Sequence, residues 1–248
     1  MTASQQPSAA PVQRVAQLRA ALGGVRARIA AAERAAGRSP QSVTLVVVTK
    51  NWPSSDVRAL AALGVADVGE NRDQEAAPKA AACADLALRW HFVGQLQTNK
   101  AHSVVQYADV VHSVDRPRLV QALDRAAVDR GRRIGALVQV SLDGDLTRGG
   151  ASPADVLALA DQVVAAAGLE LLGVMGVAPL GNRSEPSAAL AAPAFARLAG
   201  IGAGVAQAHP KARWISAGMS GDLEAAIAAG ATHVRVGSAI LGARRDLR

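Results

Sequence analysis

The chain has 248 residues, of which 50% are hydrophobic and 19% are charged, a composition that excludes an intrinsically disordered protein. Its formal net charge is +7, but only four of its 27 basic residues are lysines, and three Trp, two Phe and one Tyr are too few for a surface on which nucleic-acid bases stack. We therefore interpret the charge as a solvated arginine-rich surface and expect no nucleic-acid partner, with an RNA-associated role kept only as an alternative.

Residues 1–11, MTASQQPSAAP, are small and polar and lack the apolar segment of a signal peptide, so we expect a disordered N-terminal tail. Residues 12–36 place apolar side chains such as Leu18 and Leu22 at helical spacing, which predicts a helix. No apolar run approaches the roughly 18 residues of a transmembrane helix. The single cysteine, Cys83, excludes an intramolecular disulfide. We therefore expect a cytoplasmic protein without a membrane partner.

From residue 43 onwards, short apolar runs alternate with amphipathic segments. The predicted strands lie at 43–49, 65–69, 90–94, 109–114, 134–140, 170–177, 213–217 and 233–237. The predicted helices lie at 54–63, 72–82, 97–107, 116–130, 153–167, 186–208 and 221–229, with a short one at 238–243. Because parallel strands need crossover helices, this alternation predicts an α/β fold, a single (β/α)₈ TIM-type barrel with an extra N-terminal helix. We expect one domain over residues 12–248, with a longer loop at 178–189.

The carboxyl ends of barrel strands converge on one face, which is where barrel proteins place their chemistry. At the last two strands, Ser220 comes just before a predicted helix, where we expect it to act as the N-cap, and Gly237–Ser238 leads into the final helix. Two neighbouring helix N-termini with glycine and serine hydroxyls are typical of a phosphate site. Caps without a ligand are the alternative.

Arg235 lies inside the last predicted strand, where arginine is rarely buried without a partner. By alternation it shares a face with His233 and Gly237. If that face points into the barrel, the guanidinium reaches a bound ligand or pairs with a carboxylate in the layer below.

Lys50 follows the apolar run LVVVT at the end of the first predicted strand. A lysine in a low-polarity pocket beside other cations has a lowered pKa and attacks carbonyl groups. Together with Asn71, a phosphate site and an inward arginine, it predicts a Schiff base with pyridoxal 5′-phosphate. The alternatives are a sugar phosphate bound by a Schiff-base aldolase, or an exposed lysine without this role.

Five segments in order carry a resemblance to a known family: VVVTKNWP, GVADVGENRDQEA, WHFVGQLQTNK, LTRGG and SAGMSGDLEAAIAAGATHVRVGSAILGAR. They resemble the pyridoxal phosphate homeostasis proteins, which are similar to the N-terminal barrel of alanine racemase, and the resemblance covers about residues 12–244. It implies a TIM barrel that binds pyridoxal phosphate, keeps the free cofactor low and supplies it to apoenzymes.

The resemblance also implies roles for individual residues. Lys50 would form the Schiff base, Asn71 would lie beside the cofactor, and Arg235 would approach the pyridine nitrogen. The phosphate would be held by Ser220, Gly237 and Ser238. The chain departs from the family pattern at Asn51–Trp52 and at Arg72, which affects the rim of the site.

Racemisation or decarboxylation needs a general acid or base opposite the lysine. In the racemase a tyrosine from a second domain has that role, whereas this chain is expected to end after the barrel, and Tyr107 falls on a helix. We therefore expect no catalytic residues and a carrier or regulator rather than an efficient enzyme. A weak racemase remains an alternative; an aldolase would need a second buried lysine or carboxylate, for which Lys100 is the candidate.

Other residues are given ordinary roles at this point. His91 is interpreted as a core histidine, Cys83 as an inert core residue, and Glu70 as a partner of either Lys50 or an arginine. No spacing of His, Cys or acidic residues indicates a metal site. A closed barrel without a second domain favours a monomer.

Overall fold

The protein is described by a computed structural model that covers residues 10–181 and 187–242. Most of the predicted tail, at residues 1–9, and the centre of the predicted loop, at 182–186, lie outside the described residues.

Eight parallel strands form a closed barrel in which each strand pairs with the next in the chain and the last pairs with the first. Their bounds are β1 Thr44–Val48, β2 Asp67–Glu70, β3 Arg89–Phe92, β4 Val110–Val114, β5 Ile134–Val140, β6 Leu169–Gly176, β7 Trp214–Ser216 and β8 His233–Val236. The prediction of a (β/α)₈ barrel is confirmed. The strand runs predicted from the sequence differ from these bounds by at most two residues at either end.

Helices follow the strands around the outside of the barrel. Their bounds are α1 Val12–Ala35, α2 Ser54–Ala62, α3 Asp73–Ala82, α4 Ala101–Tyr107, α5 Pro117–Asp129, α6 Val156–Ala165, α7 Ser187–Ala208, α8 Leu223–Ala228 and α9 Ser238–Leu241. The helix predicted at 97–107 begins as a 3₁₀ turn, Thr98–Lys100, before α4. Because helix ends are set by local turn geometry rather than apolar spacing, such boundaries shift by a few residues.

The main core lies between the barrel and its helices. Outward-facing strand residues such as Val47, Val68 and Val236 are completely buried there. The N-terminal helix α1 contributes Leu18 and Leu22 to the same cluster, so it closes the core beneath α8 and α9. Each such side chain contributes about 1.5–3 kcal/mol on burial, which holds α1 on the barrel.

The inside of the barrel is different in character, because polar side chains share it with a small apolar cluster. Leu137, Met175 and Val110 form that cluster. Above and beside it the buried residues include His91, His112, Ser216 and Arg235. The outer face of the barrel is therefore packed with apolar residues, whereas its interior combines a small apolar cluster with buried polar residues.

The helical segment Ala189–Ala208, within α7, is long and apolar enough to cross a membrane by length and composition, which corrects the expectation that no segment of the chain reaches that length. In this fold α7 packs against β6, β7, α6 and α8. Leu198 and Phe195 on its inner face are buried in the main core. The apolar residues of α7 are therefore explained by its packing in the helical layer around the barrel.

Candidate functional site

The carboxyl ends of the eight parallel strands meet at one end of the barrel, here called the mouth. Four predicted site segments come to this end: Lys50 after β1, Asn71 after β2, Ser220 after β7, and Gly237–Ser238 after β8. The barrel topology brings them together although they are separated by up to 188 positions in the chain, from Lys50 to Ser238.

Ser220 and Ser238 face each other across the loops that follow β7 and β8. Ser238 Oγ donates to Ser220 Oγ at 3.1 Å, and the backbone N–H of Ala239 donates to the same oxygen at 3.3 Å. The prediction that Ser220 is the N-cap of the next helix is wrong, because α8 begins at Leu223 and Asp222 precedes it. The Ser220 oxygen accepts these two hydrogen bonds, so its hydroxyl proton is what it can offer to a ligand at the mouth.

Two glycines allow these loops to approach closely. Gly218 has φ +91°, and a Cβ on it would lie 2.6 Å from the Cβ of Ala226. A Cβ on Gly237 would lie 3.0 Å from the carbonyl oxygen of Val48, on the neighbouring strand. Larger residues at either position would push the two hydroxyls apart.

Arg235 is 5% exposed and points into the barrel, as the alternation predicted. Its Nη1 donates to Ser216 Oγ at 2.6 Å and its Nη2 donates to the carbonyl oxygen of Gly176 at 2.9 Å. Among the described residues no carboxylate forms an ion pair with it. Burial lowers the pKa of Arg235 to about 10, although the more distant Asp222 opposes this. A buried cation without a counterion is suited to an anionic or electron-rich ligand.

Lys50 is exposed, which corrects the expectation that it lies in a low-polarity pocket. The physical reason is the turn that follows β1: Asn51 has φ +66°, and the N–H of Trp52 donates to the carbonyl of Thr49 at 3.1 Å. Because of this turn, the Lys50 side chain does not continue the inward and outward alternation of β1. An exposed amine at the mouth is accessible to a ligand that enters from solvent.

Directly before Lys50, a buried polar cluster holds the end of β1. Lys79 Nζ donates to the carbonyl oxygen of Thr49 at 2.8 Å and to Glu70 Oε1 at 2.5 Å. The Thr49 hydroxyl donates to the same carboxylate oxygen at 2.6 Å. Burial raises the pKa of Glu70, and the charge of Lys79 offsets part of that increase.

Neither sequence interpretation of Glu70 is correct, since its partner is Lys79 and not Lys50 or an arginine. The sequence analysis also missed Lys79 as a second buried lysine near Lys50 and considered Lys100, which lies in the 3₁₀ turn Thr98–Lys100. The available signal was that Lys79 shares a face of α3 with the buried Ala76, which indicates that Lys79 is buried but not which residue it contacts.

Asn71 is fixed by the close approach of the next strand end. A Cβ added to Gly94 would lie 2.1 Å from the Asn71 carbonyl oxygen and 2.9 Å from its Cα. Only glycine fits at this position, so the backbone after β3 sets where Asn71 stands. Arg72, one of the departures from the family pattern, is exposed and pairs with Glu75 at 3.6 Å on the rim.

Trp52, the other departure, lies at a groove of about 870 Å³ beside the mouth. The guanidinium of Arg14 stands 4.4 Å from the centre of its ring and also pairs with Asp56 at 2.7 Å. This groove runs between α1 and α2 and does not include the predicted phosphate residues. Trp52, where this chain departs from the family pattern, therefore alters the rim of the mouth next to Lys50.

Tyr107 and Cys83 belong to the helical layer, at the ends of α4 and α3. The Tyr107 hydroxyl donates to Asp73 Oδ1 at 3.4 Å, and burial together with that carboxylate raises its pKa. Cys83 is completely buried just after α3. The described residues contain no group of three or more His, Cys, Asp or Glu side chains that would hold a metal ion.

A closed parallel barrel with an amine, two hydroxyls and a buried guanidinium at its mouth is a barrel of the alanine racemase type, since residues 21–245 match the family model described as "Alanine racemase, N-terminal domain". The "Pyridoxal phosphate homeostasis protein" of Mycobacterium tuberculosis is 45% identical over 251 residues, covering 94% of this chain and 95% of that protein. Its counterpart of the same name from Pseudomonas aeruginosa is 41% identical, covering 89% and 93%.

Among solved structures, PipY of Synechococcus elongatus with PLP bound superposes with a TM-score of 0.78 at 37% identity, covering 91% of this chain and 100% of that one. The chain belongs to the pyridoxal phosphate homeostasis protein family. The resemblance found in the sequence is confirmed.

Proposed function

We propose that this chain binds pyridoxal 5′-phosphate reversibly at the barrel mouth and acts in intracellular pyridoxal phosphate homeostasis. The observation that carries the proposal is the set of hydrogen-bond donors at the mouth. The hydroxyls of Ser220 and Ser238 lie 3.1 Å apart, and the buried guanidinium of Arg235 forms no ion pair with a carboxylate among the described residues. Its relatives named for pyridoxal phosphate homeostasis and the PLP-bound PipY support it.

The residues present fit the cofactor. Ser220 and Ser238, with the backbone at Gly237, would hold the phosphate, since hydroxyl and N–H groups donate to phosphate oxygens. Arg235 would donate to the pyridine nitrogen, and Asn71 would contact the ring. When bound, the cofactor supplies an aldehyde that condenses reversibly with a primary amine and releases one water. Lys50 is the amine that we assign to this reaction.

The same residues argue for a carrier rather than a catalyst. Arg235 can only donate a hydrogen bond, so a ring nitrogen that accepts from it stays unprotonated and withdraws electrons weakly. Tyr107, the only tyrosine of the sequence, already donates its hydroxyl proton to Asp73 at the start of α3, and burial raises its pKa, so it is not a free acid or base. We propose that the protein holds the cofactor, releases it to pyridoxal phosphate-dependent apoenzymes, and works as a monomer in the cytoplasm.

The test is the visible absorption spectrum of protein mixed with pyridoxal phosphate, before and after borohydride. We expect a visible absorption band from the lysine adduct that borohydride removes. Lys50→Ala should lose the band, and the control Lys100→Ala, a partly exposed lysine after β3, should keep it. A wild-type protein that gains no band would refute the proposal, as would a band lost only in Lys100→Ala.

One observation favours a second candidate, a Schiff-base aldolase. The buried pair of Lys79 and Glu70 contacts Thr49, the neighbour of Lys50, and such a pair was the feature that an aldolase requires. Lys79 Nζ and Glu70 Oε1 already bind each other and Thr49, however, which favours a structural role. Retro-aldol assays on the cofactor-free protein and amino-acid racemase assays on the pyridoxal phosphate-loaded protein distinguish the three functions.

A further inference from the structure

A continuous row of hydrogen bonds runs through the inside of the barrel and ends on Arg235. Asp67 Oδ1 contacts His91 Nε2 at 2.9 Å, and His91 Nδ1 contacts His112 Nε2 at 2.8 Å. His112 Nδ1 contacts Ser216 Oγ at 2.9 Å, and Arg235 Nη1 donates to that oxygen at 2.6 Å. We call these five residues the interior row.

The interior row crosses the barrel from one end to the other. Asp67 is the first residue of β2, and it faces a cavity of about 590 Å³ beneath α1. Arg235 is near the carboxyl end of β8, at the mouth. The three side chains between them, His91, His112 and Ser216, are at most 1% exposed, so water does not substitute for any link.

The chemistry of the two ends determines the direction of the first and last bonds of the row. An ionised carboxylate only accepts, and an arginine only donates. If both imidazoles are neutral, His91 carries its proton on Nε2 to serve Asp67, so its Nδ1 must accept from Nε2–H of His112. His112 Nδ1 is then an acceptor, and it receives the hydroxyl proton of Ser216. Each atom in the row is satisfied in this arrangement.

The other arrangement has a protonated His91 and reverses the upper half of the row. His112 would then donate from Nδ1 to Ser216, which already accepts from Arg235. Among the described residues the Ser216 hydroxyl proton would be left without an acceptor, a costly state in a buried site. It would also add a second buried cation to the row that contains Arg235. The neutral arrangement is favoured.

The charges around the row keep the imidazole of His112 neutral and the carboxyl of Asp67 ionised. Burial lowers the pKa of His112 far below its ordinary value, and the nearby charge of Arg235 lowers it further. Burial tends to raise the pKa of Asp67, but the bond from His91 and the nearby Arg89 outweigh it, so the carboxyl is ionised. Arg26 and Glu33 of α1 line the same cavity as Asp67.

We propose that His91, His112 and Ser216, anchored by Asp67, are positioning residues that fix the guanidinium of Arg235 for the pyridine nitrogen of the bound cofactor. With Nη1 held on Ser216 and Nη2 on Gly176, the guanidinium plane is set before any ligand arrives. The inference rests on the proposed function for the ligand, but the proton arrangement is a property of the protein alone.

The first test therefore uses the protein without cofactor. Long-range ¹H–¹⁵N correlation spectra identify the protonated nitrogen of each histidine, and we expect Nε2–H on both His91 and His112 at neutral pH. Asp67→Asn should change the ring-nitrogen shifts of His112, two bonds up the row. The control is Asp161→Asn, the same substitution at the exposed His209–Asp161 contact, which measures 2.8 Å against 2.9 Å for His91–Asp67. A His112 protonated on Nδ1, or one unmoved by Asp67→Asn, overturns the proposal.

The second test measures the cofactor. We expect Asp67→Asn and Ser216→Ala to weaken pyridoxal phosphate binding about tenfold, roughly the effect of one hydrogen bond to a charged group, and to shift the absorption maximum. Binding of inorganic phosphate should stay unchanged, and so should binding of an analogue with carbon in place of the ring nitrogen. Equal weakening for cofactor and analogue would mean a merely structural role. If the wild type binds no pyridoxal phosphate, the proposed function fails while the first test still decides the row.

Discussion

Replacing Lys79 by methionine tests whether the buried ion pair behind Lys50 holds the end of β1. The Lys79 and Glu70 side chains are 7% and 0% exposed, and their charged atoms lie 2.5 Å apart. Removal of the cation leaves a buried carboxylate with only the Thr49 hydroxyl as a donor. Breaking a buried pair on one side costs about 3–5 kcal/mol. At roughly 2–4 °C per kcal/mol for a protein of this size, Tm should fall by about 6–20 °C.

The assay is urea unfolding followed by circular dichroism, with two companion variants. Lys79→Met combined with Glu70→Gln removes both charges, and we expect it to recover most of the lost stability. Arg28→Met breaks the exposed pair with Glu224, whose side chains are 37% and 50% exposed, and should cost at most about 1 kcal/mol.

The pH dependence of the Lys79→Met variant gives an independent check. Burial already raises the pKa of Glu70, and loss of the Lys79 charge raises it further. Because the folded state then binds a proton that the unfolded state releases above about pH 4.3, stability falls as pH rises through the folded pKa. The loss of unfolding free energy in Lys79→Met relative to wild type should therefore be larger at pH 8 than at pH 5. A loss under about 1 kcal/mol at pH 8, or a larger loss at pH 5, would refute this account of the pair.

Three further predictions concern other parts of the molecule. Gly94→Ala should lower the free energy of unfolding by about 1–3 kcal/mol, because the new Cβ meets the Asn71 backbone. Gly24→Ala in α1, which has open space around it, should raise the free energy of unfolding by about 0.5–1 kcal/mol. Urea unfolding in which both variants change stability in the same direction would contradict this. Burial lowers the pKa of His233 to about 3, so this imidazole is neutral in the folded protein. The free energy of unfolding should therefore fall as pH drops from about 6.5 towards 3, and His233→Gln should reduce that slope by up to about 1.4 kcal/mol per pH unit. Unfolding curves that show the same slope in wild type and variant would count against this. Cys83 is buried and its thiol pKa is raised by burial, so a disulfide reagent should label it only along the urea transition, and rapid labelling of the native protein would argue against the buried position.

Much of the site was predictable because barrel strands end at one face. Lys50, Asn71, Ser220 and Ser238 lie within three residues of the end of a predicted apolar run, Gly237 is the last residue of one, and alternation alone predicts that Arg235 points inward. Their use with pyridoxal phosphate remains a proposal. The N-cap assigned to Ser220 failed because the residues between the strand and α8 form a longer turn than the sequence pattern indicated.

The partners of buried polar residues were not predictable in this way. Glu70 and Lys79 are nine residues apart on different elements, and no local spacing rule joins a strand end to the inner face of the next helix. His91 and His112 are on adjacent strands, and which of their nitrogens meet is decided by the register of β3 with β4.

The class of fold, the order of the elements and the residues at the strand ends are predictable from the amino-acid sequence, because the periodicity of apolar side chains is a local property that reports which face each element buries. The exposure of Lys50, the pairing of Lys79 with Glu70, and the hydrogen bonds that join Arg235 to Asp67 are visible only in the folded barrel. These are long-range contacts across a closed barrel, fixed by strand register and side-chain packing, and they have no counterpart in the spacing of residues along the chain.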